Sequence, residues 1–201
     1  MASLVLGIVG TTGFVVTFLV DGATRPGYQP RRHAVSALAL GDRGWVQTAN
    51  FVVGGGLVTA SSPGIHAATD TVWLPAVVAV FGLALVASGL FPMEPMRGYP
   101  PGAAEGKPES TSRVHRLHDA AGTIVFGSLP VATVLAALSL EEPGWVWYSG
   151  VTAVALAVLT WAFGAAWERD SPWTGLVQRA AILCGWSWLG LLCSHLMRRS
   201  T

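Results

Sequence analysis

Charge is scarce in this sequence. Asp, Glu, Lys and Arg make up 11% of its 201 residues, whereas 52% of the residues are hydrophobic. Because a soluble domain carries about 25% charged residues, this chain has too few charges to cover a surface that faces water. Its formal net charge of +1 gives no basis for binding nucleic acid. We therefore expect its partners to be membrane lipids and not nucleic acid.

Cysteine is also rare, and the N-terminal region lacks basic residues. Cys184 and Cys193 lie inside one apolar stretch, without the C-x-x-C spacing of redox and zinc motifs. No Lys or Arg precedes Arg25, whereas a secretory signal begins with a positively charged segment. We interpret the first apolar run as a retained membrane span and the two thiols as small apolar fillers of a helix.

Six long uncharged runs divide the chain. A helix needs about 20 mostly apolar residues to cross the hydrocarbon core, and in lipid it satisfies its own backbone polar groups. The sequence therefore predicts an all-α fold, a polytopic membrane bundle of about six transmembrane helices that forms a single integral membrane domain over residues 1–201. The predicted spans cover residues 3–20, 45–65, 71–91, 120–140, 145–167 and 180–197.

A short repeat raises the hypothesis of two inverted three-helix halves. Gly-Trp-Val opens the second predicted span at residues 44–46 and the fifth at residues 144–146. An odd number of spans in each half would invert one half relative to the other, as in many transporters. Coincidence is the simpler explanation, because Gly-Trp pairs are common at membrane interfaces.

Basic residues are concentrated in alternate loops. The loops after predicted spans one, three and five hold ten Lys and Arg residues, and those after spans two and four hold none. Cytoplasmic loops carry an excess of Lys and Arg. We therefore expect a multi-pass protein of the cell membrane with loops one, three and five in the cytoplasm and both termini outside, although Arg198 and Arg199 in the tail argue the other way.

The basic residues of these loops suggest a binding site for an anion. The planar guanidinium group donates two parallel hydrogen bonds to phosphate, and basic pockets on the cytoplasmic side bind lipid head groups. The leading hypothesis is a non-enzymatic or regulatory protein that binds a lipid head group or another anionic amphiphile, and the competing explanation is ordinary positive flanks. The expected anion ligands are Arg31, Arg32, His33, Arg113, Arg116 and Arg179.

A second group of polar residues precedes the fourth predicted span. His115, His118 and Asp119 have the spacing i, i+3, i+4 and share one helical face. They could orient a bound head group or act as ligands to zinc, with a further ligand from elsewhere. The zinc hypothesis gives the first alternative function, a metal-dependent intramembrane hydrolase with Asp119 and Ser36 as catalytic candidates. The leading hypothesis needs no cofactor, and zinc is the alternative.

A small transporter is the second alternative. Gln47 and Asn50 are i, i+3 neighbours in the second predicted span, and buried amides either line a cavity or join helices. They start near one interface and do not fill the membrane midplane. The sequence leaves open whether the chain forms a homo-oligomer or pairs with another membrane protein.

Three segments together resemble a known family. They are residues 28–38 (YQPRRHAVSAL), residues 44–55 (GWVQTANFVVGG) and residues 89–95 (GLFPMEP), followed by a His at the start of span four. In this combination the chain resembles, over nearly its whole length, the bacterial and archaeal membrane family catalogued as domain of unknown function nine-nine-eight. The resemblance implies a six-span helical bundle and marks loop one and the start of span four as segments to test. It implies no activity, substrate or catalytic residue.

Overall fold

The computed structural model describes residues 1–199. Its six long helices are α1 (Ala2–Thr24), α2 (Gly44–Thr69), α3 (Trp73–Leu90), α4 (Arg113–Ser139), α5 (Pro143–Glu168) and α6 (Thr174–Arg199). A short 3-10 helix, Val35–Ala39, lies between α1 and α2. Because no β-strand forms among residues 1–199, the prediction of an all-α bundle is confirmed.

Five of the six helices are long and apolar enough to cross a membrane, and α2 is the exception. The polar residues of α2 include Gln47, Asn50 and Ser61, and all three are buried. Asn50 Nδ2 donates to the Phe14 carbonyl of α1 (3.1 Å) and to Gln47 Oε1 (3.2 Å). These side chains are therefore directed into the bundle, where the amides join α2 to α1.

Two helices begin earlier than the hydropathy predicts. α4 starts at Arg113 and α6 starts at Thr174, whereas the predicted spans start at residues 120 and 180. The Ser112 hydroxyl caps α4 by accepting a hydrogen bond from the His115 amide (3.2 Å). Hydropathy marks only the part of a helix that lies in hydrocarbon, whereas a capped helix continues beyond it. The extension places His115, His118 and Asp119 on the first two turns of α4.

The helices close into a ring, in which each packs on its neighbours in the chain and α1 packs on α6. α2 and α3 come into backbone contact at Gly55 and Gly82. A Cβ atom on Gly82 would lie 2.6 Å from the Gly55 carbonyl oxygen, and one on Gly55 would lie 2.5 Å from that of Gly82. Only glycine allows this approach, which maximises van der Waals contact between helices in lipid.

Three loops meet at one end of the bundle. They are loop one (residues 25–43), loop three (residues 91–112) and loop five (residues 169–173), and this end is named the loop-one end. Three ion pairs connect loop three to its neighbours, with N–O distances of 3.0–3.1 Å. Glu105 pairs with Arg32 of loop one, Lys107 with Glu168 at the end of α5, and Arg97 with Asp170 of loop five. At the opposite end, Arg199 of α6 pairs with Glu142 before α5 (2.9 Å).

Candidate functional site

A cavity of about 560 Å³ lies between α4 and α5 and extends inward to α3 and α6. Its lining runs from His118 to Gly127 on α4 and from Gln178 to Trp186 on α6. At 1.5 Å per residue, these segments correspond to about 12–14 Å along the helices. The hydrocarbon core of a bilayer is about 30 Å thick, so the cavity has roughly the depth of one leaflet.

The two ends of this cavity differ in chemistry. The deep part is apolar and aromatic, and the Phe126 and Phe163 rings, 5.0 Å apart, join α4 to α5 there. The part nearest the loop-one end is polar. The polar lining residues of the whole cavity are Ser36, Ser88, His118, Asp119, Thr123, Thr160, Glu168 and Gln178. The cavity is therefore amphipathic along its length, with most of its polar groups at one end.

His118 presents a hydrogen-bond acceptor to this cavity. Its Nδ1 atom lies 2.8 Å from the Phe91 carbonyl oxygen and 3.2 Å from that of Ser88, at the end of α3. Because carbonyl oxygens only accept hydrogen bonds, Nδ1 carries the proton of the neutral ring and Nε2 keeps its lone pair. His118 is only 8% exposed and lines the cavity. Within residues 1–199, Nε2 forms no hydrogen bond.

His115, almost one turn earlier on α4, has the opposite tautomer. Its Nδ1 atom accepts a hydrogen bond from the Glu94 amide (2.8 Å), so the proton of the neutral ring is on Nε2. Nε2 lies 3.3 Å from Asp119 Oδ2. Asp119 is half-exposed and lines the cavity. His115 itself does not line the cavity and lies beside Asp119, which does.

The predicted zinc ligands lie close together, but they do not form a ready set. No group of three or more His, Cys, Asp or Glu residues between positions 1 and 199 is arranged to hold a metal ion. Both ring nitrogens of His115 face other groups, and only His118 offers an unpaired nitrogen. Binding of zinc through His115 would require the loss of its contact with Glu94 or Asp119. Zinc binding by His115, His118 and Asp119 stays a prediction.

Arg179, a predicted anion ligand, is engaged by loop one. Its Nη1 atom donates to the carbonyls of Pro30 (2.5 Å) and His33 (3.0 Å), and Nη2 donates to the Tyr28 hydroxyl. Burial raises the pKa of Tyr28 to about 12, although Arg179 acts in the opposite direction. The phenol therefore keeps its proton and donates to the Ala34 carbonyl (2.9 Å). This buried network fastens loop one to α6.

His33 is a second structural residue of loop one. Its Nδ1 atom accepts from the Gln29 amide (3.0 Å), and Nε2 lies 3.1 Å from the Arg97 carbonyl of loop three. Loss of solvation on burial lowers the pKa of His33 below its ordinary value, and the neighbouring Arg32 and Arg179 act in the same direction. The neutral ring, with its proton on Nε2, satisfies both contacts.

The other predicted anion ligands lie around the loop-one end without converging. The Arg31 guanidinium lies over the Trp173 ring, at 4.8 Å, and Arg113 is exposed. Two more are engaged by neighbours, Arg32 by the Glu105 carboxylate and Arg116 by the Thr111 carbonyl. None of the six predicted anion ligands lines the cavity. The structure therefore brings the basic residues to one end but does not assemble them around one site.

Several cavity residues were missed by the sequence analysis. Glu168 and Gln178 line its polar end, and Gln178 Oε1 also accepts a hydrogen bond from the Val35 amide (2.7 Å). Ser36, a catalytic candidate, lines the same end, with its hydroxyl 3.3 Å from Met93 Sδ. The glycines of α4 and α5 are the feature of the sequence that could have indicated a cavity between these helices. Sequence alone, however, cannot separate a glycine beside a void from one against a neighbouring helix.

The chain matches a known protein family. A family model described as protein of unknown function (DUF998) matches residues 8–195. The chain belongs to the DUF998 family. No curated protein and no solved structure matches it. The family match includes parts of all six helices of this DUF998 protein and confirms the resemblance seen in the sequence. The family description gives no activity.

Proposed function

We propose that this DUF998 protein binds one membrane amphiphile, with its acyl chain in the cavity and its head group at the loop-one end. The observation that carries the proposal is the amphipathic lining of a cavity as deep as one leaflet. Its volume of about 560 Å³ falls within the range of about 300–1,000 Å³ found for small-molecule sites. Apolar walls with a few polar groups at one end suit a lipid better than a water-soluble substrate.

A route into the cavity supports a ligand drawn from the bilayer. Three small residues at the seam between α4 and α5 line it, namely Gly122, Gly127 and Gly164. None of them has a neighbouring atom within 4 Å of its ideal Cβ position. An acyl chain could therefore enter sideways along the seam without first crossing the polar loops.

The distribution of basic residues supports an orientation for the ligand. We infer that the loop-one end faces the cytoplasm, because the loops that meet there hold most of the Lys and Arg residues. The amphiphile would then come from the cytoplasmic leaflet. The basic residues outside the cavity, such as exposed Arg113, would hold the anionic membrane surface close to this end.

Filling the cavity tests the proposal directly. Gly122→Leu and Gly164→Leu would each place a side chain in the cavity, and Gly56→Leu on the exposed side of α2 is the matched control. The measurement is the number of lipids that stay with the detergent-purified protein, by native mass spectrometry. We expect wild type and Gly56→Leu to retain about one lipid per chain and the cavity variants to lose it. Equal retention in all four proteins would overturn the proposal.

A hydrolase acting on a membrane amphiphile is the second candidate. The observation in its favour is that Ser36, His118 and Asp119 line the same cavity. Nε2 of His118 could accept a proton from water or from a hydroxyl group. Turnover of fluorescent lipid esters and amides in vesicles, lost in His118→Ala, would favour this function over simple binding.

A further inference from the structure

We propose that the polar end of the cavity selects amphiphiles whose head group carries an ammonium group, an inference that rests on the proposed function. The head group inferred here carries a positive charge, whereas the sequence favoured an anionic one. The reason lies in which charged side chains reach the cavity and which are bound elsewhere.

The charged residues that line the cavity are acidic. Asp119 and Glu168 are its carboxylates, and no Lys or Arg of the described chain is among its lining residues. Glu168 is partly neutralised, because Lys107 Nζ lies 3.0 Å from its Oε2 atom. Asp119 has no Lys or Arg ion pair among residues 1–199, and its Oδ2 atom lies 3.3 Å from His115 Nε2. Asp119 is therefore the less neutralised of the two carboxylates.

His118 adds an uncharged acceptor beside these carboxylates. It is more than nine-tenths buried, and its Nε2 lone pair has no hydrogen-bond partner among residues 1–199. The proton on Nδ1 is held by two carbonyls of the α3 C-terminal end. The ring therefore presents an acceptor to a ligand that enters the cavity. An acceptor without a partner, on a residue that lines the cavity, favours a ligand that donates.

An ammonium head group matches this set of groups. It carries a positive charge and three N–H donors and has no acceptor. Asp119 would bind its charge, and His118 Nε2 and the Ser36 hydroxyl could accept from its remaining N–H groups. A head group with only a phosphate would place negative charge beside the carboxylates of Asp119 and Glu168. Its oxygen atoms accept hydrogen bonds, so they could not donate to His118 Nε2. The arrangement thus favours an aminolipid over an anionic lipid.

A competition between two lipids tests the inference. The full chain is reconstituted in phosphatidylcholine vesicles with equal amounts of phosphatidylethanolamine and phosphatidylglycerol that have identical acyl chains. After gentle extraction, the retained lipids are quantified by mass spectrometry. We expect phosphatidylethanolamine to be enriched roughly fivefold over phosphatidylglycerol, as for one partly exposed ion pair. Asp119→Asn should reduce the enrichment to less than about twofold.

The controls separate this inference from the proposed function. Asp42→Asn makes the same change on an exposed residue of loop one outside the cavity, and its enrichment should equal that of wild type. If lipid is retained without preference, or phosphatidylglycerol is preferred, the head-group inference is wrong and amphiphile binding stands. If Gly122→Leu retains as much lipid as wild type, both the head-group inference and amphiphile binding are wrong. A melting temperature equal to that of wild type confirms that Asp119→Asn folds.

Discussion

Arg179 of α6 and Tyr28 of loop one are hydrogen-bonded partners, although 151 positions separate them in the sequence. The same guanidinium also binds the carbonyls of Pro30 and His33. A residue that the sequence marked as an anion ligand therefore holds loop one on the bundle. These contacts direct the guanidinium toward loop one, and Arg179 does not line the cavity.

Arg179→Met should destabilise the loop-one end. The substitution keeps much of the apolar stem but removes the hydrogen bonds that Arg179 donates to the carbonyls of Pro30 and His33 and to the buried Tyr28 hydroxyl. An unsatisfied buried polar group costs about 1–3 kcal/mol, so we expect a lower free energy of unfolding and faster proteolysis within loop one. Arg169→Met, at an exposed residue of loop five, is the control. Equal protease resistance in the two variants would contradict the role of Arg179.

Gly82→Val should weaken the contact between α2 and α3. A Cβ atom there would lie 2.3 Å from Thr59 Oγ1 and 2.6 Å from the Gly55 carbonyl oxygen, so one helix must move. Overpacking costs about 1–3 kcal/mol, which should appear as a lower melting temperature in detergent. Gly56→Val introduces the same side chain into open space on α2 and should melt close to wild type. Similar melting of both variants would argue against tight packing at Gly82.

Acidification should destabilise the protein through His33. Burial lowers the pKa of His33 in the folded chain below the ordinary value of 6.5, so the unfolded chain binds a proton first as the pH falls. The stability contributed by the neutral ring is therefore complete above pH 6.5 and is lost as the pH falls from there through the folded-state pKa. Melting temperatures of wild type and His33→Gln between pH 7.5 and pH 5 check this. If the melting temperature falls with pH as steeply in His33→Gln as in wild type, groups other than His33 cause the effect.

Metal analysis tests the metal-dependent form of the hydrolase. Because both ring nitrogens of His115 face other groups, we expect the purified protein to bind zinc at well below one ion per chain. Elemental analysis of wild type beside the variant with His115→Ala and His118→Ala measures this. About one zinc per chain, lost in the variant, would make the metal-dependent hydrolase the leading function.

The inferred orientation predicts which end of the bundle is accessible from outside the cell. Glu105→Cys marks loop three at the loop-one end, and Glu141→Cys marks the loop between α4 and α5. In a chain with Cys184→Ser and Cys193→Ser, a membrane-impermeant maleimide should label Glu141→Cys in intact cells. It should label Glu105→Cys only after lysis. The opposite pattern would place the loop-one end outside.

The sequence by itself determined the architecture. Long uncharged runs in a chain poor in charge have one stable solution in lipid, the helix, because lipid offers no partners for backbone polar groups. The six helices, the concentration of basic residues in alternate loops and the family all follow from patterns local in the sequence. The helix ends did not, because capping by residues such as Ser112 extends a helix beyond its apolar part.

Only the tertiary structure decided which polar groups face a cavity. The sequence grouped Arg179 and His33 with an anion site. In the structure, both are hydrogen-bonded to the backbone of loop one, and His33 also contacts the Arg97 carbonyl of loop three. It also gave His115 and His118 the same role, although their partners on loop three and α3 fix opposite tautomers. Hydrogen bonding is saturable and directional, so the function of a polar side chain depends on partners far away in the chain, which spacing along one helix does not encode.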